Sequence, residues 1–179
     1  IHRGIGFASF IEVTNPSAAF YGVGGARISS QDGATLKLDA TGAVFVHSGV
    51  TEQGQGAESV LAQCVATSFG VPIERVRVIT GDTDNTPYGG GTWASRAAGI
   101  GGEAAGQAGK ALRANVLTAA ASILQADPKA LDIRAGVVVD ADTGRERIGL
   151  DEVARIVYFR PDTLPPGIQP EFVVTRHYV

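Results

Sequence analysis

Two polar, glycine-bearing runs hold the residues best suited to chemistry, Thr51-Glu52-Gln53-Gly54-Gln55-Gly56 and Gly91-Thr92-Trp93-Ala94-Ser95-Arg96. In the first, Gly54 and Gly56 carry no Cβ to keep a ligand away from the backbone. Gln55 between them can donate and accept hydrogen bonds at once. In the second, the hydroxyls of Thr92 and Ser95 and the guanidinium of Arg96 are donors suited to phosphate. Each run leads into a helix-like stretch, and a helix start offers unpaired N–H groups and the positive end of the dipole to an anion. Two capped helices with glycine turns would have the same composition. Spacing alone leaves a ligand cradle and plain capping both open.

Other chemistries have less support. A Walker A loop fails twice, because Gly109-Lys110 is followed by Ala111 and Ala104 stands where the first glycine belongs. Gly99-Ile100-Gly101-Gly102-Glu103-Ala104 nearly matches a dinucleotide fingerprint, but it lacks both a preceding strand and the acidic residue about 20 positions on. His2, His47 and His177 are far apart, with no carboxylate or cysteine at ligand spacing, which argues against zinc. They read as ordinary strand residues. Ser95 has neither a nucleophile elbow nor a nearby histidine. Asp82 and Asp84 could act as an acid/base pair, although aspartates at a strand end more often bond turn backbone. Glu52 reads as a helix-start carboxylate that stabilises the dipole.

The elements around these runs are legible from periodicity. Ala57, Val60, Leu61, Cys64, Val65 and Ser68 share one helical face, which ends near Phe69-Gly70 before Pro72. A second helix is expected to begin between Ser95 and Gly102 and to run to Ala126, where Asp127-Pro128 ends it. Its first half, with Ala104, Ala105, Gly106, Ala108 and Gly109, loses helix propensity and predicts close packing against a sheet or ligand. Strands are predicted over Ile5 to Thr14, Ala26 to Ser30, Ala34 to Asp39, Ala43 to His47, Arg75 to Thr80, and Glu171 to Val179. Antiparallel pairing is the simplest arrangement. Leu131 to Asp140 and Arg145 to Ile148 predict a hairpin around Asp142-Thr143-Gly144, and Asp151 to Tyr158 a short helix. The fold class is α+β, a mixed β-sheet packed by two main helices.

Composition narrows the partners. With 179 residues, 44% of them apolar, the chain can bury a substantial core. The 24 glycines have no fixed period, which excludes a collagen-like repeat. A net charge of −3 with scattered Lys and Arg offers nucleic acid no basic stripe. No apolar run reaches the ~20 residues of a membrane span, so a soluble chain is expected, cytoplasmic with the periplasm left open. The single cysteine, Cys64, rules out a disulfide within the chain and reads as a small buried thiol. The absence of methionine suggests an internal or processed piece of a longer polypeptide.

In combination the motifs resemble one family. His47-Ser48-Gly49-Val50-Thr51-Glu52-Gln53-Gly54-Gln55-Gly56, then Gly81-Asp82-Thr83-Asp84 with Pro87-Tyr88-Gly89, then Gly91-Thr92-Trp93-Ala94-Ser95-Arg96 are similar in order and spacing to the molybdenum-binding large subunit of the xanthine dehydrogenase, aldehyde oxidase and aerobic carbon monoxide dehydrogenase family. Arg3-Gly4-Ile5-Gly6 and Phe10-Ile11-Glu12 also look like the strand that opens this part of the subunit.

The resemblance implies that residues 1–179 are one segment of a molybdopterin-binding domain of the molybdenum hydroxylase type. It makes Gln55 the catalytic-site residue, matching a glutamine that hydrogen-bonds an oxo group on molybdenum, with Gly54 and Gly56 bringing backbone near the cofactor. Thr92, Ala94, Ser95 and Arg96 match the segment along the pterin and the pyrophosphate of a molybdopterin cytosine dinucleotide. Trp93 receives no role, and no residue here is implied as a metal ligand. The implied reaction is hydroxylation of an aldehyde or N-heteroaromatic substrate with oxygen from water. The rest of the molybdenum subunit, including a glutamate base, and the iron–sulfur and FAD domains or subunits are then partners, since one cysteine cannot hold a cluster. The alternative readings are a nucleotide- or phosphate-binding module without redox role and a purely structural domain.

Overall fold

The computed structural model describes residues 2–10 and 13–179. Its centre is a four-stranded mixed sheet formed by β1 (Asp32–Leu38), β2 (Val44–Ser48), β3 (Val76–Ile79) and β7 (Phe172–Tyr178), in the order β3-β2-β1-β7. Three more strands, β4 (Leu131–Arg134), β5 (Val137–Asp140) and β6 (Glu146–Gly149), form a second, antiparallel sheet in the order β4-β5-β6. The helices are α1 (Ala57–Phe69), α2 (Gly102–Leu124) and α3 (Leu150–Phe159).

Alternation builds the core. Ala34, Leu36 and Leu38 on β1, Val44 and Val46 on β2, and Phe172 and Val174 on β7 are all buried. They pack against α1 through Leu61, Val65 and Phe69 and against α2 through Ala104, Ala108, Leu112 and Val116. Each fully buried Leu or Phe contributes about 1.5–3 kcal/mol before entropy is counted. The small residues of α2 do permit close packing. An ideal Cβ on Gly102 would meet Cys64 Sγ of α1 at 3.4 Å, and one on Gly109 would overlap the Ser68 side chain.

β1 pairs antiparallel with β2, as the simplest arrangement predicts, and also with β7, whereas β2 and β3 run parallel. α1 is the crossover between them, because parallel neighbours cannot be joined by a tight turn. Both glycine runs follow from this one choice. Residues 49–56 leave the carboxyl end of β2 and residues 80–96 leave the carboxyl end of β3, so the two meet at the same end of the sheet. Ligands of open α/β sheets bind at that end.

Three strand expectations need correction. The strand over Ile5 to Thr14 does not form in residues 2–10 or 13–14, which are irregular, and Ile11 and Glu12 lie outside the described residues. Ile5, Phe7 and Phe10 are 88%, 96% and 80% exposed. A strand needs a ladder for its N–H and C=O groups, and none of the described strands pairs with this segment. Ala26 to Ser30 is also irregular. The chain here is held by a loop instead, through Gln31 Nε2 to Tyr88 O at 2.9 Å and Gly90 N to Gln31 O at 3.0 Å. Leu131 to Asp140 is two strands. Ala135 (φ 49°) and Gly136 (φ 81°) reverse the chain between Arg134 and Val137, a two-residue turn of the type that requires positive φ at both positions. The expected hairpin around Asp142-Thr143-Gly144 does form, between β5 and β6.

Candidate functional site

The first run is a loop folded around a carboxylate. Glu52 accepts N–H bonds from Gly54 (2.8 Å), Gly56 (2.9 Å) and Glu58 (3.1 Å), satisfying donors at the start of α1. The Glu58 and Gly56 N–H groups hold its carboxyl below the ordinary glutamate range. Glu52 is therefore the helix-start residue expected. Gly54 and Gly56 have φ of 89° and 83°, and an ideal Cβ on either would meet nothing within 4 Å. Open space, with no neighbour from the rest of the fold, faces them.

Gln55 is exposed, and its side chain bends back over the loop. Its Oε1 accepts from Gln53 N at 2.6 Å and its Nε2 donates to Thr51 O at 3.2 Å. The second run is fastened to the first mainly through the Thr92 hydroxyl. Thr92 Oγ1 donates to Thr51 O at 2.7 Å and accepts from Thr51 N at 2.9 Å, and Gln53 Nε2 donates to Thr92 O at 3.3 Å. Thr92 is thus a clasp between the loops, its hydroxyl engaged with backbone.

Arg96 is fully buried beside an equally buried Asp32, which neither run contains. Its Nη1 donates to Asp32 Oδ2 and to Gly91 O, and its Nη2 to Gln31 O at 3.0 Å. The guanidinium lies over Trp93, 5.9 Å from the ring centroid, and Phe20 packs on the same indole at 5.4 Å. The fork expected to face a phosphate therefore points into the protein. Asp32 escaped the sequence reading because an aspartate at a strand start is ordinary, and its partner is 64 residues away. Burial pushes the Asp32 carboxyl up from the usual range, against the Arg96 charge.

Between the anchored positions 91 and 96, Ala94 (φ 45°) and Ser95 (φ 52°) adopt left-handed backbone, a costly state that clusters at ligand sites. The chain then enters α2 through a π-helical turn over Ala97–Gly101, another feature concentrated at functional sites. Gln53, Gln55, Thr92, Trp93, Ala94, Ser95, Arg96, Ala97 and Ala98 together line one cleft of about 450 Å³. Every site residue expected from the sequence except Gly54 and Gly56 lines this cleft, and those two flank Gln55 in its wall. Trp93 Nε1 and Arg96 Nε are buried there without a hydrogen-bond partner among the described residues.

The other candidates behave as structural groups. Asp82 accepts from Asp84 N at 3.1 Å and from Asn85 Nδ2 at 2.8 Å, the turn role expected. Cys64, expected as a small buried thiol, is half-buried and packs against the core. Burial and the Glu103 carboxylate raise its pKa, which keeps it a thiol. Among the described residues, no group of three or more His, Cys, Asp or Glu could hold a metal ion.

A family model of the molybdopterin cofactor-binding domain matches residues 1–179. The chain belongs to this family. The molybdopterin cofactor-binding domain is 32% identical over 175 residues to the nicotine 6-hydroxylase large subunit of Paenarthrobacter nicotinovorans, covering 98% of this chain and 21% of the relative. It is 33% identical over 164 residues to the xanthine dehydrogenase molybdenum-binding subunit of Escherichia coli O157:H7, covering 90% and 21%. Among solved structures it superposes on quinoline 2-oxidoreductase from Pseudomonas putida 86 with a TM-score of 0.81 and 34% identity, covering 93% of this chain and 21% of that one. The α+β architecture is that of the molybdenum hydroxylase domains. The chain spans about a fifth of the length of these relatives.

The cleft fits such a cofactor on its own features. Exposed Gly54 and half-buried Gly56 open onto free space, the buried Trp93 Nε1 and Arg96 Nε are unmatched among the described residues, and a helix start faces the same cleft. The helix start and the unmatched N–H groups favour an anionic, hydrogen-bond-accepting group, and the glycines let it come close to backbone.

Proposed function

We propose that this domain forms one wall of the molybdopterin site in a molybdenum hydroxylase whose remaining walls lie elsewhere in a longer polypeptide. The supporting observation is that two glycine-bearing loops from the carboxyl ends of parallel strands, clasped through Thr92, line one cleft with left-handed backbone at Ala94 and Ser95. When bound, the cofactor supplies the redox chemistry, the oxidation of an aldehyde or N-heteroaromatic substrate with oxygen taken from water. The residues of this chain bind and orient it. Gly54 and Gly56 admit it close to backbone, and Gln55 turns its amide from Thr51 and Gln53 toward the metal centre. Ser95 offers a hydroxyl to the pterin or pyrophosphate side. Ala94, Thr92 and Arg96 give that segment its shape.

For the cytosine dinucleotide form, the Ser95 hydroxyl and the helical turn that opens at Ala97 are the groups left to meet a pyrophosphate. Iron–sulfur and flavin centres belong to partner domains or subunits, because a chain with one cysteine has no cluster ligand set. Among the described residues no helix is long and apolar enough to cross a membrane.

Metal analysis and pterin extraction on the full-length parent test the reading, with molybdenum and a released pterin dinucleotide expected in equal amounts. In the same protein Gln55→Ala should lower turnover per bound molybdenum by about 10²-fold, the order of magnitude lost with a preorganised hydrogen-bond donor, with metal content retained. Unchanged turnover per molybdenum would remove Gln55 from the site. A parent that binds nucleotide or phosphate and lacks both metal and pterin would favour the non-redox module.

A further inference from the structure

Asp32 belongs to neither glycine run, yet the second run is tied to it. Gly49, which follows β2, and Gly89 and Gly90, which precede Gly91, close over the Asp32–Arg96 pair. An ideal Cβ on Gly49 would come within 2.5 Å of Asp32 Oδ1, one on Gly89 would overlap the same carboxylate, and one on Gly90 would strike Ser29 O and the Arg96 guanidinium. Three positions on two backbone segments have thus been left without side chains to enclose one ion pair. The pair is also an anchor with several points. From its place beside Asp32, Arg96 reaches Gln31 O on the chain entering β1 and Gly91 O at the other end of its own run. Both ends of the 91–96 arch are therefore held to the start of β1, and the strained Ala94 and Ser95 lie between them.

Net stability accounts poorly for such a pair, since apolar residues of equal volume often stabilise as well or better. Fixing one geometry accounts for it directly. We propose that Asp32 is a positioning residue for the cofactor wall: by holding Arg96 it keeps the Gly91–Arg96 arch in the left-handed shape that lines the cleft, without touching the cofactor itself. The inference rests on the cofactor reading of that cleft.

The test uses the full-length parent and compares Asp32→Asn with Leu112→Ala, a core variant on α2 away from both loops. The measurements are the melting temperature, the molybdenum and pterin remaining after gel filtration, and the rate of cofactor loss. Both variants should melt lower, but only Asp32→Asn should lose cofactor faster, by about tenfold or more, the scale set by the cost of holding left-handed residues. Adding Ala94→Gly, which relieves that cost, should restore most of the retention in the Asp32→Asn background. Cofactor retention equal to wild type in Asp32→Asn, or loss matched by Leu112→Ala at equal melting temperature, would overturn the positioning role. If Asp32→Asn fails to accumulate, Arg96→Lys decides, because it keeps the buried charge and gives up the fork. Faster cofactor loss supports the proposal and unchanged loss overturns it. A wild-type parent without molybdenum and pterin would overturn the cofactor reading itself and the positioning role with it.

Discussion

Replacing Thr92 by valine removes one oxygen and keeps the shape of the side chain, so it isolates the clasp between the loops. Two hydrogen bonds disappear, the 2.7 Å bond to Thr51 O and the 2.9 Å bond from Thr51 N. Each is worth about 1 kcal/mol net. Thr51 is half-buried, so water can reach its stranded backbone groups and no further burial penalty is added, and the local cost comes to about 2 kcal/mol. At about 1.4 kcal/mol per decade, the loops should open about 30-fold more often. Amide hydrogen exchange of the full-length parent reads this directly, as faster exchange confined to residues near 51 and 92. Thr92→Ser retains the hydroxyl and should exchange as the wild type does. Exchange unchanged in the valine variant, or raised equally by serine, would refute the clasp.

Two further predictions concern separate parts of the fold. Glu52→Gln should loosen the 52–58 segment, seen as lost amide protection near neutral pH. In the wild type the Glu52 carboxyl is held below the ordinary glutamate value by the Glu58 and Gly56 N–H groups, so its contribution is present above the unfolded value and lost as pH falls through the depressed one. Protection that is flat from pH 6 to pH 3 and unaffected by the substitution would count against the cap. Gly70→Ala should lower the melting temperature of the parent, because Gly70 ends α1 at φ 96° and an added Cβ would strike Ile133 O. A cost of about 2–3 kcal/mol follows from the left-handed backbone together with the clash, and a melting temperature equal to wild type would refute it.

Legibility in the sequence tracked how local the determining physics is. α1 is bounded by a periodic face and by glycines on either side, and it starts and stops at Ala57 and Phe69 as its pattern predicts. The two glycine runs carry their polar groups in plain view, and most of the residues singled out there meet in one cleft. The partners of those groups were hidden. Asp32 sits far along the chain from Arg96, so a guanidinium that looked free for phosphate is buried as an anchor. The parallel pairing of β2 and β3, which places both runs at one end of the sheet, leaves no mark in the alternation of either strand. Ala135-Gly136 hid its turn because alanine is not a residue expected at positive φ. Ile5 to Phe10 alternates like a strand, but alternation cannot supply a neighbour to pair with.

That unpaired arm bears on how the domain behaves in isolation. Ile5, Phe7 and Phe10 stand almost fully in water, close together on backbone that pairs with none of the described strands. Sticky side chains beside free main-chain donors and acceptors are the ingredients of edge-to-edge association. Purified alone, the domain carries an adhesive strip.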